Sequence, residues 1–333
     1  MMVTNKKLRV LVLGGGPSVE HDVSLRTAQM IYEHLDRRIY EPRIATITKD
    51  GVWLMTPFEP LCEEEAVSKI KTIADVVFVA LHGEYGEDGT IQRLFDKHGI
   101  CYTGSGPEAS FVGMHKLLSR DKLRAAGLLV PPGLGISYTL YDRVPNEVIR
   151  LIARHFVFPV VAKPADRGSS IGVSIAHTLS YVERCLHDVF HYSPLALAEA
   201  YIPGVELACG VLENEKGDIA TLLPTEIIPL KNTFFDYESK YADSGANEIT
   251  PARVSPRIQA RVQEAAMIAH RALGCRGYSR TDCIWRPETN QLYILEINTL
   301  PGLTEASIFP KEAQAAGIPF PRLLDRIVRA AVG

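Results

Sequence analysis

Two strand-like segments near the C-terminus, Gly277–Trp285 and Gln291–Ile297, are joined by the turn-rich stretch RPETN and carry polar side chains where an ordinary core would be apolar. Alternate residues of a strand share a face, so Arg280 stands with Asp282 on the first segment, and Glu296 with Asn298 at the end of the second. If the strands are neighbours, three oxygen-bearing side chains converge beside an arginine. A buried carboxylate cluster without a cation is expensive, so this part of the chain demands a metal-bearing cleft or a salt bridge to Arg280. Oxygen donors without a soft donor nearby suit magnesium, which keeps waters and bridges phosphate oxygens. After Asn298 come Pro301, Gly302, Thr304 and Ser307; Ser307 either caps the following turn or binds a small carboxylate.

The N-terminal third reads as α/β. Lys7–Leu13 is a β-branched apolar run ended by Gly14, Gly15 and Gly16, with a helix predicted from about Asp22 to Asp36 and Ser18 as its N-cap. Glu20 and His21 then stand near the positive end of that helix. GGGPS fits neither a spaced dinucleotide fingerprint nor a phosphate loop ending in Lys-Ser/Thr, so it is a tight turn or a ligand-facing loop. A second strand, Asp75–Leu81, runs directly into HGEYGEDG, where His82 and Glu87 are functional candidates and Asp88 or Thr90 a helix cap. Ligands bind at the carboxyl ends of such strands.

In the central segment the pattern predicts one helix from about Gly113 to Ala126, carrying Lys116. FPVVAKPADRGSSIGVSIA then reads as strand, basic residue, glycine-serine loop and strand, with Gly168 permitting the tight turn. Folded over an anion, that hairpin would cradle phosphate oxygens with peptide N–H groups and with Lys163; a plain β-turn satisfies the same residues. Glu199 follows an alternating strand and Glu206 follows a Pro-Gly turn, as surface glutamates or as nucleotide contacts. The stretch from Lys231 to Thr250, KNTFFDYESKYADSGANEIT, is polar and aromatic and fits neither periodicity, which is uncommon unless the segment is a lid. Closing, it would deliver Lys240 and exclude water. Ser255–Ala272 is an amphipathic helix stopped by Gly274.

Composition excludes several classes. A formal charge of -3 gives no footprint for nucleic acid. No run approaches the roughly 18 apolar residues of a membrane span, and the run Val10–Leu13 is too short for a signal core. Six cysteines without a CxxC pair read as reduced thiols in a cytoplasmic protein. At 333 residues, two or three domains sharing a cleft are expected.

The series GGGPSVEHDVS, HGEYGEDG, KPADRGSS, the Lys240-Tyr241 pair, GYSRTD and LEINTLPGLT, in this order, resembles the D-alanine:D-alanine ligases, of the ATP-grasp superfamily. The resemblance implies an α/β and α+β multidomain fold: an N-terminal Rossmann-like domain over 1–110, a central ATP-grasp subdomain over 111–208, and a C-terminal one over 209–333 with a lid at 231–250. It implies joining two D-alanines at the expense of ATP for peptidoglycan precursor synthesis, with two Mg2+ ions, Mn2+ substituting, in a cytoplasmic homodimer. By the same resemblance Lys116 and Lys163 hold ATP phosphates, Glu199 and the backbone of Ala200, Tyr201 and Ile202 meet adenine, and Glu206 takes the ribose. Asp282, Glu296 and Asn298 look like magnesium ligands, and Lys240 like the lid residue that reaches the transferred phosphate. Glu20 is similar to the residue receiving the first D-alanine's ammonium and Ser307 to the one binding the second's carboxylate. Ser169 and Tyr241 resemble the residues that orient the substrate with Glu20, His82 the one beside the first D-alanine, and Arg280 with the Gly302 N–H the oxyanion pair. His115, Ala200 and Pro107 depart from the family pattern. Rival readings are a ligase accepting D-lactate or D-serine, against which Tyr241 speaks for lactate, and a non-catalytic nucleotide-binding regulator.

Overall fold

A computed structural model describes residues 6–229 and 246–333. Its first sheet is built on β1 (Leu8–Gly15). β2 (Tyr40–Ile47) lies parallel on one side, extended by antiparallel β3 (Trp53–Met55), and β4 (Val76–Val79) lies parallel on the other. Val10–Leu13 and all of β4 are buried, as strands covered on both faces must be. Covering them are α1 (His21–His34), α2 (Glu63–Ile73) and α3 (Thr90–His98). At Gly15 the backbone takes a positive φ, and a Cβ there would overlap the Ile47 carbonyl oxygen, so only glycine fits at this strand end.

Two local expectations are corrected here. Ser18 does not cap α1; the N-cap position is Glu20. The chain turns tightly before the helix, with the His21 N–H donating to the Ser18 carbonyl at 3.0 Å, and the Ser18 hydroxyl is spent on the Glu20 N–H at 3.1 Å. The single helix predicted from Gly113 to Ala126 is two, α4 (Pro107–Met114) and α5 (Lys116–Ala125), broken at an extended His115. The break has a local cause: the Lys116 N–H donates to the Ala165 carbonyl at 2.6 Å, turning the chain towards the second sheet. The His115 side chain accepts the Leu118 N–H and so caps α5.

The second sheet is antiparallel. β5 (Gly133–Ser137), β6 (Val160–Pro164), β7 (Ser174–Ala176) and β8 (Leu195–Ala200) assemble in the order β5-β8-β6-β7. Its core joins Val160, Ala162, Ala196 and Ala198 to the apolar faces of α6 (Tyr138–Arg143), α7 (Pro145–His155) and α8 (Leu179–Phe190).

The third sheet contains β9 (Val205–Glu213), β10 (Ile219–Thr221), β11 (Thr225–Pro229), β12 (Ala246–Ile249), β13 (Tyr278–Arg286) and β14 (Gln291–Asn298). The main path runs β12-β11-β9-β13-β14, with β10 on β9. The end of the segment read from the sequence as irregular to Thr250 is therefore strand: β12 pairs antiparallel with β11. Its sequence, ANEI, has little apolar alternation, and only the partner strand specifies it. Residues 231–245 of the expected lid, Lys240 and Tyr241 included, lie outside the described residues.

α9 (Pro256–Leu273) packs Val262, Ala266 and Ala269 against this sheet, begins at a Ser255 cap and ends at left-handed Gly274. The last two helices are α10 (Ile308–Ala315) and α11 (Phe320–Val332). Leu323, Leu324, Ile327 and Val328 of α11 enter the core of the first sheet, and the Tyr40 hydroxyl donates to Asp325 at 2.6 Å. The last helix is thereby packed onto the first sheet. Among the described residues no helix is long and apolar enough to cross a membrane.

Candidate active site

The floor of the cleft is the β13–β14 pair. Asp282 lies opposite Glu296 and Arg280 opposite Asn298, so the convergence expected from strand periodicity is realised. A register shift after Asp282 marks a bulge, the kind of irregularity that re-aims side chains beside active sites. Arg280 grips Asp282 with a two-pronged hydrogen bond, Nε to Oδ1 at 2.7 Å and Nη2 to Oδ2 at 2.8 Å, and Asn298 Nδ2 adds a third at 3.1 Å. Burial by itself would lower the Arg280 pKa, but the Asp282 charge and its hydrogen bonds, with Glu312 and Glu296 nearby, raise it. The guanidinium is thus a fixed positive charge. Glu296 meets the Lys116 ammonium at 3.3 Å.

This donor set fits magnesium. Two carboxylates face each other across the ladder, and an amide stands two register pairs along, on the same face, so the donors are all hard oxygens. Among the described residues no three His, Cys, Asp or Glu side chains gather as a metal cage.

Lys116, Lys163, Gly168, Glu206, Asp282 and Glu296 line one cavity above this floor. Lys116 is held there by the Arg167 carbonyl, which accepts from Nζ at 2.5 Å. Lys163, on β6, is buried and pairs with Glu199 Oε1 at 2.5 Å. The β6–β7 hairpin forms as expected, but its turn does not depend on Gly168: Ser169 and Ser170 take the left-handed conformations, with φ of 50° and 57°. Two non-glycine residues held there are backbone strain, the kind that clusters at ligand-binding loops.

Glu199 is not a surface glutamate. It stands one residue before the end of β8, buried, and is ion-paired to Lys163 on one oxygen and to Arg120 on the other. Beyond it, the Ala200 N–H donates to Pro132 at 2.9 Å, Tyr201 is exposed, and Ile202 is buried.

Glu20 stands at the start of α1, almost wholly buried, and accepts the Ser169 hydroxyl at 2.5 Å, a contact that spans 149 residues of sequence. His82 is nearby, its Nε2 3.0 Å from the Thr27 hydroxyl and its N–H on the Ser24 hydroxyl at 2.9 Å. Burial lowers the His82 pKa, so the ring is neutral at neutral pH. Ser307 precedes α10 but makes no side-chain cap; its hydroxyl accepts the Thr304 N–H at 3.1 Å and pairs with the Thr304 hydroxyl at 2.8 Å. A Cβ on Gly302 would come within 2.6 Å of the Ser307 Oγ, so the bare backbone of Gly302 lets the two meet.

Two charged side chains, Arg120 and Glu312, were missing from the expected set, and a third, Glu87, stood in it without a role. Arg120 lies four residues after Lys116 on α5, a spacing that could have signalled a shared face. Glu87 was only a candidate; its Oε2 accepts the Gly83 N–H at 2.9 Å, and burial, then the Glu20 charge, pushes its carboxyl up to about 8. Glu312, which the sequence pattern does not single out, is fully buried, accepts the Gly210 N–H at 2.7 Å, and is pushed up to about 8 by burial against the pull of Arg280.

A group whose folded pKa exceeds its unfolded value lends stability that is complete below the unfolded value and lost as pH rises through the folded one. On account of Glu312, stability should therefore fall as pH climbs from the ordinary glutamate range and level off above about 8. Glu312→Gln keeps an acceptor for the Gly210 N–H, and thermal unfolding of the variant from about pH 5 to about pH 9 should show a shallower loss of Tm than the parent. Parallel curves would remove Glu312 from the account.

The models described as D-ala D-ala ligase N-terminus and D-ala D-ala ligase C-terminus match residues 9–105 and 122–329. A D-alanine–D-alanine ligase of Syntrophobacter fumaroxidans is 39% identical over 331 residues, covering 99% of both chains. One of Geotalea uraniireducens is 38% identical, covering 98% of this chain and 96% of the relative. Among solved structures, the VanG D-Ala:D-Ser ligase from Enterococcus faecalis superposes with a TM-score of 0.83 at 26% identity, covering 97% of this chain and 99% of that one. The D-alanine–D-alanine ligase of Bacillus anthracis complexed with ATP gives 0.76 at 30% identity, covering 98% and 97%.

Proposed function

The chain belongs to the D-alanine–D-alanine ligase family and joins two D-alanines at the expense of ATP, and from that premise we propose which of its residues carry the reaction. The γ-phosphoryl group of ATP passes to a carboxylate oxygen of the first D-alanine, giving ADP and an acyl phosphate. The amine of the second D-alanine attacks the acyl carbon, the carbon–oxygen bond to phosphate breaks, and the amine loses its proton. The dipeptide serves peptidoglycan precursor synthesis.

The observation that carries the assignment is the register pair Asp282 and Glu296, flanked by Arg280 and Asn298, under a cavity that Lys116 and Lys163 also line. Asp282, Glu296 and Asn298 would hold two Mg2+ ions, for which Mn2+ would substitute. Bound there, magnesium supplies positive charge to the phosphate oxygens. Lys116 and Lys163 bind the phosphates, Glu199 and the backbone of Ala200–Ile202 the adenine, and Glu206 the ribose. Arg280 and the Gly302 N–H stabilise the oxyanion that forms as the amine attacks.

Glu20 receives the ammonium of the first D-alanine, with Ser169 fixing its carboxylate and His82 beside it; neutral His82 adds no competing positive charge. Ser307 binds the second carboxylate. Lys240 and Tyr241, outside the described residues, serve the transferred phosphate and the substrate side. The chain divides at 1–110, 111–208 and 209–333, dimerises through its first domain and works in the cytoplasm.

Glu20→Gln tests the substrate end. It removes the charge that meets the ammonium while keeping an oxygen for Ser169, so the KM of the first D-alanine should rise roughly 10- to 100-fold with the ATP KM little changed. Equal shifts in both constants would place Glu20 elsewhere in the cycle.

A further inference from the structure

We propose that Arg120 is the positioning residue of the nucleobase end of the cleft, clamping Glu199 and the connection after it so that the site prefers a purine bearing an amino group over one bearing a carbonyl. This rests on the reading of Glu199 and Ala200–Ile202 as the base-contacting segment. Arg120 is 2% exposed, and its guanidinium divides between two strands. Nη1 donates to Glu199 on β8 and Nη2 to the carbonyl of Pro131, which leads into β5. The next residue, Pro132, accepts the Ala200 N–H at 2.9 Å, closing a ring of contacts around the start of the connection.

The sequence makes room for this clamp. Gly133 lies opposite Glu199 in the β5–β8 register, and a Cβ on it would stand 2.8 Å from Arg120 Nη2. Lys163 takes the other Glu199 oxygen. A carboxylate gripped by two cations in a buried site is an acceptor only, in one fixed orientation. Each oxygen keeps a further lone-pair direction, which an exocyclic amine can satisfy and a carbonyl oxygen is repelled by. Lys163 serves the phosphate end as well, so the orientation specific to the base falls to Arg120.

Steady-state kinetics with ATP and with GTP, on the parent chain and on Arg120→Met, Arg120→Lys, Gly133→Ala and Glu199→Gln, tests this. Arg120→Met should raise the ATP KM about 10-fold or more, leave the D-alanine KM within about 2-fold, and shrink the ratio of kcat/KM for ATP over GTP about 10-fold. Arg120→Lys should recover part of both, and Gly133→Ala, which crowds the guanidinium from behind, should move both in the direction of Arg120→Met. If Glu199→Gln changes the ATP KM and the ratio while folded Arg120→Met changes neither, the clamp is rejected and the reading of Glu199 stands. If Glu199→Gln changes neither, that reading is wrong and the clamp falls with it. Should Arg120→Met not fold, Gly133→Ala and Arg120→Lys decide on the same two readouts, and an unchanged ATP KM and ratio overturn the proposal.

Discussion

Replacing Arg280 with alanine should lower kcat about 100- to 1,000-fold while the KM values of ATP and D-alanine move far less. A donor aimed at charge that develops only in the transition state contributes little to ground-state binding, and loss of one such donor costs about that factor. The geometry adds a second reason. Arg280 holds Asp282 through two hydrogen bonds, and its removal leaves that carboxylate with the single bond from Asn298 among the hydrogen bonds described above. Arg280→Lys separates the two contributions: a lysine restores a charge but not the planar fork, so it should recover part of the turnover without restoring the orientation of Asp282. The check is kcat and KM for both substrates on variants whose thermal unfolding shows them folded. Full turnover with weakened D-alanine binding would remove the oxyanion role.

The second large effect is expected at Glu296. Glu296→Gln preserves shape and removes one charge from the strand that faces Asp282, 3.3 Å from the Lys116 ammonium. Turnover should fall about 1,000-fold, and the Mg2+ concentration for half-maximal activity should rise at least about 10-fold, since even outer partners of metal ligands cost 10- to 100-fold in affinity. A titration of activity against Mg2+ reads both. An unchanged Mg2+ requirement would show that Glu296 serves Lys116 rather than a metal.

Much of this site was legible because strand periodicity carries positional information. Spacing alone puts Arg280 with Asp282 on one strand face and Glu296 with Asn298 on another, and the pairing of the two strands, a condition in the sequence, is what the structure supplies. Two strands of the first sheet, β1 and β4, and the helix ending at Gly274 were legible for similar reasons: apolar runs and a glycine stop are local signals, whereas β2 and β3 gave none that was read. The errors came where tertiary contacts overrode local pattern. Nothing in GMHKLLSRDK indicates that the Lys116 N–H will bond to Ala165, 49 residues later in the chain, and break the helix. The contact of Ser169 with Glu20, by contrast, came from the family resemblance and not from any local pattern. Burial of charge was the hardest property to read, because Glu199, Arg120 and Glu312 become interior only once partners from other strands and helices arrive.

The central claim is that this cleft makes D-alanyl-D-alanine through an acyl phosphate, and the most direct measurement supplies ATP, Mg2+ and D-alanine labelled with 18O in its carboxyl group. Phosphate release and the mass of the product are followed together, first with D-alanine alone and then with D-lactate or D-serine added. The account predicts the D-alanine dipeptide as the product even with the rival acceptors present, with one labelled oxygen carried into each phosphate released. A folded protein that releases no phosphate, or one that forms the dipeptide with no label in the phosphate, would contradict it.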